Sequence, residues 1–359
     1  MSNNILKHRL KHSKITGVGS ALIDLLIYES DYFLSQIGKQ KGGMTLVSDS
    51  DIEEILNKIV QENRDNKPVI VPGGATCNTI VGVGKLGGKA SFIGKRGDDH
   101  YGRFYEENLK QSNVSPRFLT SVTPTGKVLS IITPDAQRSM FTCLGASTEL
   151  EPESITAEMF KDTGIAIMEG YLLFNPELMM ACLKSAKSAG SMIALDLASF
   201  EVVEASRDIL NDIVNEYVDI LIANEDEARA YTSFSDESAA IEALSKNVAV
   251  AVLKVGERGS YISYKTSPKH PLSPADSELN HLDNLESKVI RVDAKRGAAI
   301  KDTTGAGDLW AAGFLYGIAN GYSVEKSGEI ASACGYEVCQ IIGAQIPEDG
   351  WQRIRSLLT

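Results

Sequence analysis

Cysteine is scarce and scattered in this chain. Cys77, Cys143, Cys182, Cys334 and Cys339 make an odd number at wide spacings, with no CxxC pair. That speaks against a zinc site or a disulfide framework and for buried thiols in a reducing compartment. No segment approaches the roughly 18 uncharged apolar residues of a membrane span. Basic excess is lacking too: 36 Lys and Arg stand against 47 Asp and Glu, a net charge of −11. A general affinity for nucleic acid or anionic membrane is therefore not expected. There is no internal repeat and no low-complexity segment. Gly (31) and Pro (11) are at ordinary levels, and with 43% hydrophobic and 23% charged residues the composition excludes disorder, coiled coil and collagen.

What is present suits a large α/β protein. At 359 residues, one large domain with an appendage competes with two domains. Near the N-terminus, Lys7, Arg9, Lys11 and Lys14 precede an apolar stretch in imitation of a signal peptide. Gly17, Gly19 and Asp24 interrupt that stretch and no small-residue cleavage site follows, so a cytoplasmic protein is expected.

Short β-branched runs predict strands over Ile15–Gly19, Val69–Val71, Ser91–Gly94, Ile165–Glu169, Met192–Asp196, Ile220–Ala223 and Val248–Lys254. Helical patterns fall over Asp49–Asn63, Thr76–Leu86, Asp99–Gln111, Pro176–Ala189, Ser206–Glu216, Glu225–Tyr231 and Glu237–Lys246. Three more follow over Ala306–Ala319, Val324–Ile341 and Pro347–Leu357. This alternation implies βαβ units in a doubly wound, mostly parallel sheet flanked by helices. Continuous apolar strands such as Val69–Val71 suit burial on both faces. Two stretches break the rhythm, Leu25–Leu46 with little helix signal and Thr125–Leu144 with two strands around Pro134–Gln137. They read as a small β lid (segments about 25–48 and 114–147) within one domain spanning 1–359, or as surface hairpins without a role. The polar, proline-bearing stretch Lys265–Lys288 reads as a surface loop.

The segment Asp302-Thr303-Thr304-Gly305-Ala306-Gly307-Asp308 carries the sharpest chemical signal. Three small residues stand directly before a helical run. Their N–H groups can converge at a helix N-terminus, where the dipole favours an anion. Asp308 would lie in the first turn, placed to accept a proton from an attacking hydroxyl. No GK[ST] follows, so this is not a Walker A loop.

This segment resembles the signature of the ribokinase-like (PfkB) carbohydrate and purine kinases. Gly73 to Asn78 with Phe92 to Gly102, Asn224-Glu225-Asp226-Glu227, and Lys254 to Gly259 are similar to further signatures of that family, in its order, across nearly the whole chain. The resemblance implies ATP-dependent phosphorylation of a hydroxymethyl group. It implies Asp308 as catalytic base and Gly305, Ala306 and Gly307 as an anion hole. Mg²⁺ would be positioned through water by Asn224 and Glu227. Asn224, Lys254, Gly256, Gly259 and Thr304 would serve the nucleotide. Asp24, Gly73, Gly74 and Asn78 would serve the acceptor, Asp24 by accepting hydroxyl hydrogen bonds. Arg138 resembles a position that reaches the transferred phosphate, and equally reads as a surface strand arginine. The Asp302 and Thr303 carbonyls, with Gly343-Ala344, resemble a monovalent-cation (K⁺) region.

Gly82 to Gly87 fits G-x-G-x-x-G, but the glycines fall inside a helical pattern rather than at a strand-to-helix turn, so close helix packing is expected in place of NAD binding. The long stretch between Asp24 and Gly73, with Leu22-Ile23-Asp24, resembles adenosine kinases more than ribokinases. Leu22, Met44 and Leu46 could face a flat base. The expected substrate is adenosine or a related nucleoside. The alternatives are a free sugar or sugar acid (ribose, fructose, 2-keto-3-deoxygluconate) and a catalytically idle nucleotide or sugar sensor. A monomer or homodimer is expected, with no nucleic-acid or membrane partner.

Overall fold

The computed structural model describes residues 10–38, 41–62, 65–135, 137–266, 285–297 and 299–358. Its strands are β1 (Lys14–Val18), β2 (Leu22–Tyr28), β3 (Met44–Leu46), β4 (Val69–Gly73), β5 (Ala90–Gly97), β6 (Val114–Ser121), β7 (Thr125–Ile132), β8 (Arg138–Gly145), β9 (Thr163–Glu169), β10 (Met192–Asp196), β11 (Ile220–Asn224), β12 (Val250–Lys254), β13 (Ser260–Thr266) and β14 (Glu286–Val292). Nine of them form one sheet in the order β14-β13-β12-β11-β10-β9-β1-β5-β6. All pairs from β12 to β6 are parallel, and β13 and β14 add an antiparallel edge.

The apolar runs explain this sheet. Along β9, Ile165 and Ile167 enter one core, while Ala166 and Met168 enter the other. Strands apolar on both faces need helices on both faces. Helices Ala75–Lys85, Ala306–Ala319 and Val324–Val338 cover the first core. Helices Pro176–Ser188, Arg207–Tyr217 and Glu237–Leu244 cover the second. Cys77, Cys182 and Cys334 are buried, and burial pushes the Cys77 and Cys182 thiols up to about 12, as expected of inert core thiols.

The remaining strands form a second sheet in the order β3-β8-β7-β2-β4. Here the structure corrects several expectations. Val69–Val71 is not a doubly buried strand: β4 is an edge strand antiparallel to β2, and Val69 is 59% exposed. A three-residue apolar run cannot distinguish the two settings. The stretch 114–147 divides, because β6 pairs with β5 in the large sheet while β7 and β8 pair in the small one. Leu25–Leu46 contains a helix after all, Asp31–Gln36, whose N-cap Ser30 accepts the Phe33 N–H at 3.1 Å and which buries Phe33 and Leu34.

The stretch 265–288 begins in β13 and ends in β14, while 267–284 lies outside the described residues, as do Lys7, Arg9 and Ala136. Gly82 and Gly84 lie inside helix Ala75–Lys85. A Cβ on Gly82 would stand 2.6 Å from Ala312 Cβ, and one on Gly84 would stand 2.1 Å from the Ser112 carbonyl, so they serve close packing. Among the described residues no helix is long and apolar enough to cross a membrane.

Candidate active site

Four adjacent parallel strands end in polar residues at their carboxyl ends: Glu169 on β9, Asp196 on β10, Asn224 on β11 and Lys254 on β12. Ligands of doubly wound sheets bind outside such ends. With Thr76, Glu227, Gly307 and Asp308, they line a cavity of about 150 Å³. Helix Ala306–Ala319 points its N-terminus into this cavity. Gly305, at φ +72°, is its N-cap, and a Cβ there would lie 2.6 Å from Ala344 Cβ. Only glycine takes that turn at no steric cost. A Cβ on Gly307 would lie 3.2 Å from Lys254 Nζ, so the loop and the ammonium adjoin.

Asp308 is half-buried in the first turn. Its Oδ2 accepts the Asn78 amide at 2.9 Å, and its carbonyl accepts the Thr79 hydroxyl at 3.1 Å. Burial pushes its carboxyl up to about 6; Asp196 adds to this, while the Asn78 bond and Lys254 oppose it. Asn78, expected on the acceptor, therefore also holds the expected base.

Asp24 lies on β2 opposite β4. A Cβ on Gly73 would fall 2.4 Å from the Asp24 carboxylate carbon, so this glycine makes room for the carboxylate. Gly74, at φ +95°, turns the chain into helix Ala75–Lys85. Burial pushes Asp24 up to about 7, Asp308 adds to the rise and Arg138 opposes it. These two carboxylates and Arg138 thus share one neighbourhood.

Arg138, at the start of β8, is not a solvent-facing strand residue. Its side chain is 12% exposed and hydrogen-bonded to the Asp302 carboxylate. Asn224 and Glu227 form a reciprocal cap. The Asn224 N–H and side-chain amide donate to Glu227 at 2.8 and 2.6 Å, and the Glu227 N–H returns a bond at 2.9 Å. Glu227 is buried, which pushes it up to about 7; Asp196 adds to the rise and Lys254 opposes it. Lys254 bonds Asp196 at 2.9 Å; burial pulls its ammonium down, but Asp196 and Glu227 outweigh this and hold it above the ordinary range.

Gly256 (φ +56°) and Gly259 (φ +95°) shape the connection from β12 to β13, and Thr304 bonds Asp302; none of the three lines the cavity. Among the described residues no group of three or more His, Cys, Asp or Glu is placed to hold a metal ion directly.

Comparison with known proteins decides the family. The family model described as pfkB family carbohydrate kinase matches residues 49–350. This chain belongs to the PfkB family. It is similar to the solved structure of a probable sugar kinase from Rhizobium etli CFN 42 (TM-score 0.80, 27% identity, 97% of this chain and 98% of that one). It is equally similar to an adenosine kinase from Sinorhizobium meliloti (TM-score 0.79, 27% identity, 96% and 99%). A 5-dehydro-2-deoxygluconokinase of Listeria innocua serovar 6a is 27% identical over 73% of this chain and 78% of its own length. Both the nucleoside and the sugar readings fit these relatives, and ATP is the family's co-substrate.

Three residues of this PfkB kinase's cavity escaped the sequence reading. Glu169 accepts the Thr76 N–H at 2.9 Å; burial pushes its carboxyl up to about 7 and Asp308 adds to the rise. Asp196 pairs with Lys254, and Thr76 carries a buried hydroxyl without a hydrogen-bond partner. An acid closing an apolar strand is the signal that could have found Glu169 and Asp196.

Proposed function

We propose that this PfkB kinase phosphorylates the primary hydroxyl of a nucleoside, adenosine or a relative, from Mg·ATP. The observation that carries the nucleoside reading is the face of the small sheet. Asp24 is in register with Val128, Val128 with Thr142, and Thr142 with Leu46. Leu26, Ser130, Met140 and Met44 form the next row on the same face. Asp24 and Arg138 therefore share a face that is otherwise largely apolar and that ends in Met44 and Leu46, 54% and 64% exposed. A carboxylate for ribose hydroxyls beside an apolar surface for a flat base suits a nucleoside.

In the proposed reaction Asp308 takes the proton of the acceptor hydroxyl as that oxygen attacks the γ-phosphorus in line with the departing ADP. The N–H groups of Gly305 and Gly307 receive the charge on the transferring group, joined by the Ala306 N–H once it leaves the Thr303 carbonyl, which it holds at 3.1 Å. Lys254, Gly256, Gly259, Thr304 and Asn224 serve the nucleotide, and Asp24, Gly73 and Gly74 the acceptor. The small sheet acts as a lid that keeps water, a competing acceptor, from the phosphoryl group.

The residues present fit a magnesium ion. Buried Glu227 and half-buried Asp196 and Asp308 lie around one ammonium, and the donors are oxygens, the ligands Mg²⁺ prefers. Glu227 and Asn224 would hold it through water, and it would neutralise phosphate charge. A K⁺ ion would take backbone carbonyls, because the Asp302 carboxylate is already filled by its hydrogen bonds.

The second reading is a free sugar or sugar acid. The small cavity with buried Glu169 and half-buried Asp196 supports it, as does the Listeria relative. ADP release from Mg·ATP against a panel of nucleosides and free sugars, with and without K⁺, separates the two. Turnover with sugars and none with nucleosides would replace the first reading by the second.

A further inference from the structure

The Asp302 carboxylate joins three segments far apart in sequence. Its Oδ1 accepts the Thr304 backbone N–H at 3.1 Å and the Thr304 hydroxyl at 2.9 Å. Its Oδ2 accepts the Gly343 N–H at 2.8 Å and an Nη2–H of Arg138. Two bonds to each oxygen fill the roughly four acceptor positions of a carboxylate. One partner lies in the anion-hole loop, one in the 341–344 segment and one on the small sheet.

Packing runs along the same line. A Cβ on Gly343 would lie 3.3 Å from Leu26 Cδ1, so β2 of the small sheet rests against the 341–344 segment. That segment rests in turn on the loop, where Ala344 closes over Gly305. Leu26 and Arg138 stand on one face of the small sheet, since Leu26 is in register with Ser130 and Ser130 with Met140, two residues along β8 from Arg138.

Among the described residues the Arg138 guanidinium makes no other hydrogen bond. A guanidinium is a rigid fork of N–H donors, so anchoring one edge aims the others.

We propose that Asp302 is a positioning residue: it holds Arg138 beside the anion-hole loop, where the proposed reaction brings the phosphoryl group, and couples docking of the small sheet to assembly of that loop. The first half rests on the phosphotransfer reading above. The coupling half rests on the contacts alone.

The test uses Asp302→Asn, Arg138→Ala and the double variant, each checked for a wild-type melting temperature, with Arg138→Lys as the substitute should Asp302→Asn melt early. In kinetics, Asp302→Asn lowers kcat by about tenfold or more while the acceptor KM moves less than about twofold, as expected of an interaction made in the transition state. In the Arg138→Ala background the same substitution lowers kcat by less than about twofold, because the two residues act as one unit. An equal loss of kcat in both backgrounds overturns the positioning role. Arg138→Lys, which keeps the charge and loses the fork, retains intermediate kcat; wild-type kcat there overturns the role as well.

Hydrogen exchange of the unliganded protein reads the coupling without any acceptor. Arg138→Ala speeds exchange at 302–305 and 341–344 as well as in β8; faster exchange confined to β8 overturns the coupling. A wild-type protein without Asp308-dependent turnover would defeat the kinase reading and the positioning role with it, while the exchange measurement still decides the coupling.

Discussion

The Asn78 amide donates to Asp308 Oδ2 at 2.9 Å across 230 residues of sequence. The bond joins helix Ala75–Lys85 to the first turn of helix Ala306–Ala319 and stabilises the ionised form of the expected base. Only that form can accept a proton. With the carboxyl pushed up to about 6, kcat/KM rises with pH through about 6 and levels above about 7, where the Asp24 carboxyl has ionised as well. Asn78→Ala removes a contact that lowers this pKa, so its acid limb moves to higher pH. A pH profile of kcat/KM checks both; an unmoved limb in the variant would mean that Asn78 acts on the acceptor alone.

Asp24→Asn stabilises the protein at alkaline pH while impairing acceptor binding. The folded carboxyl titrates at about 7, against about 4 in an unfolded chain. Between those values the folded state binds the proton more tightly. The associated stability is present in acid and is lost as pH rises through about 7. A neutral amide escapes that loss. Denaturant melts would find the variant more stable by roughly 4 kcal/mol at pH 8, with the gap closing toward pH 4. A gap independent of pH would contradict the assignment.

Gly305→Ala damages the anion hole in two ways. The residue sits at φ +72°, and the new Cβ would press on Ala344 Cβ at 2.6 Å. The left-handed backbone costs about 1–2 kcal/mol for alanine, and the contact adds to it. Transfer falls by about tenfold or more, since the backbone N–H groups shift. Adding Ala344→Gly relieves the contact and leaves the backbone cost, so the double variant recovers stability in part. Full recovery would show that the φ value matters little.

Ala198 lines the cavity at φ +68°, a region alanine rarely adopts. Ala198→Gly removes strain of about 1–2 kcal/mol and adds an unfolded-state entropy cost of about 0.4–1 kcal/mol. The expected net is a stabilisation of about 0.5 kcal/mol, read as a shift in denaturant midpoint at constant slope. Destabilisation would mean that the turn is not strained.

The parts legible in the sequence are those set by local pattern. Helix Ala306–Ala319 and strand Met192–Asp196 have the bounds their apolar periodicity predicts. The loop before Asp308 reads directly because small residues must stand next to one another to bring backbone N–H groups together. Residues joined by strand order do not read this way. Glu169 and Asp196 are single acids whose meaning depends on β9 and β10 lying beside β11 and β12. The role of the Asp302 side chain is not legible either, because nothing local announces an arginine 164 residues away. The helix Asp31–Gln36 is one and a half turns held by a serine cap and two buried side chains, too short for periodicity to register.

The central claim is that Asp308 is the base of an ATP-dependent phosphoryl transfer. The most direct test follows label from [γ-³²P]ATP to the best acceptor under single-turnover conditions, in wild type and Asp308→Asn, with ATP affinity measured alongside. The account predicts unchanged ATP binding and transfer slowed by about a thousandfold or more, the upper end of general-base effects together with the lost carboxylate charge. Transfer in Asp308→Asn within a few-fold of wild type would contradict it.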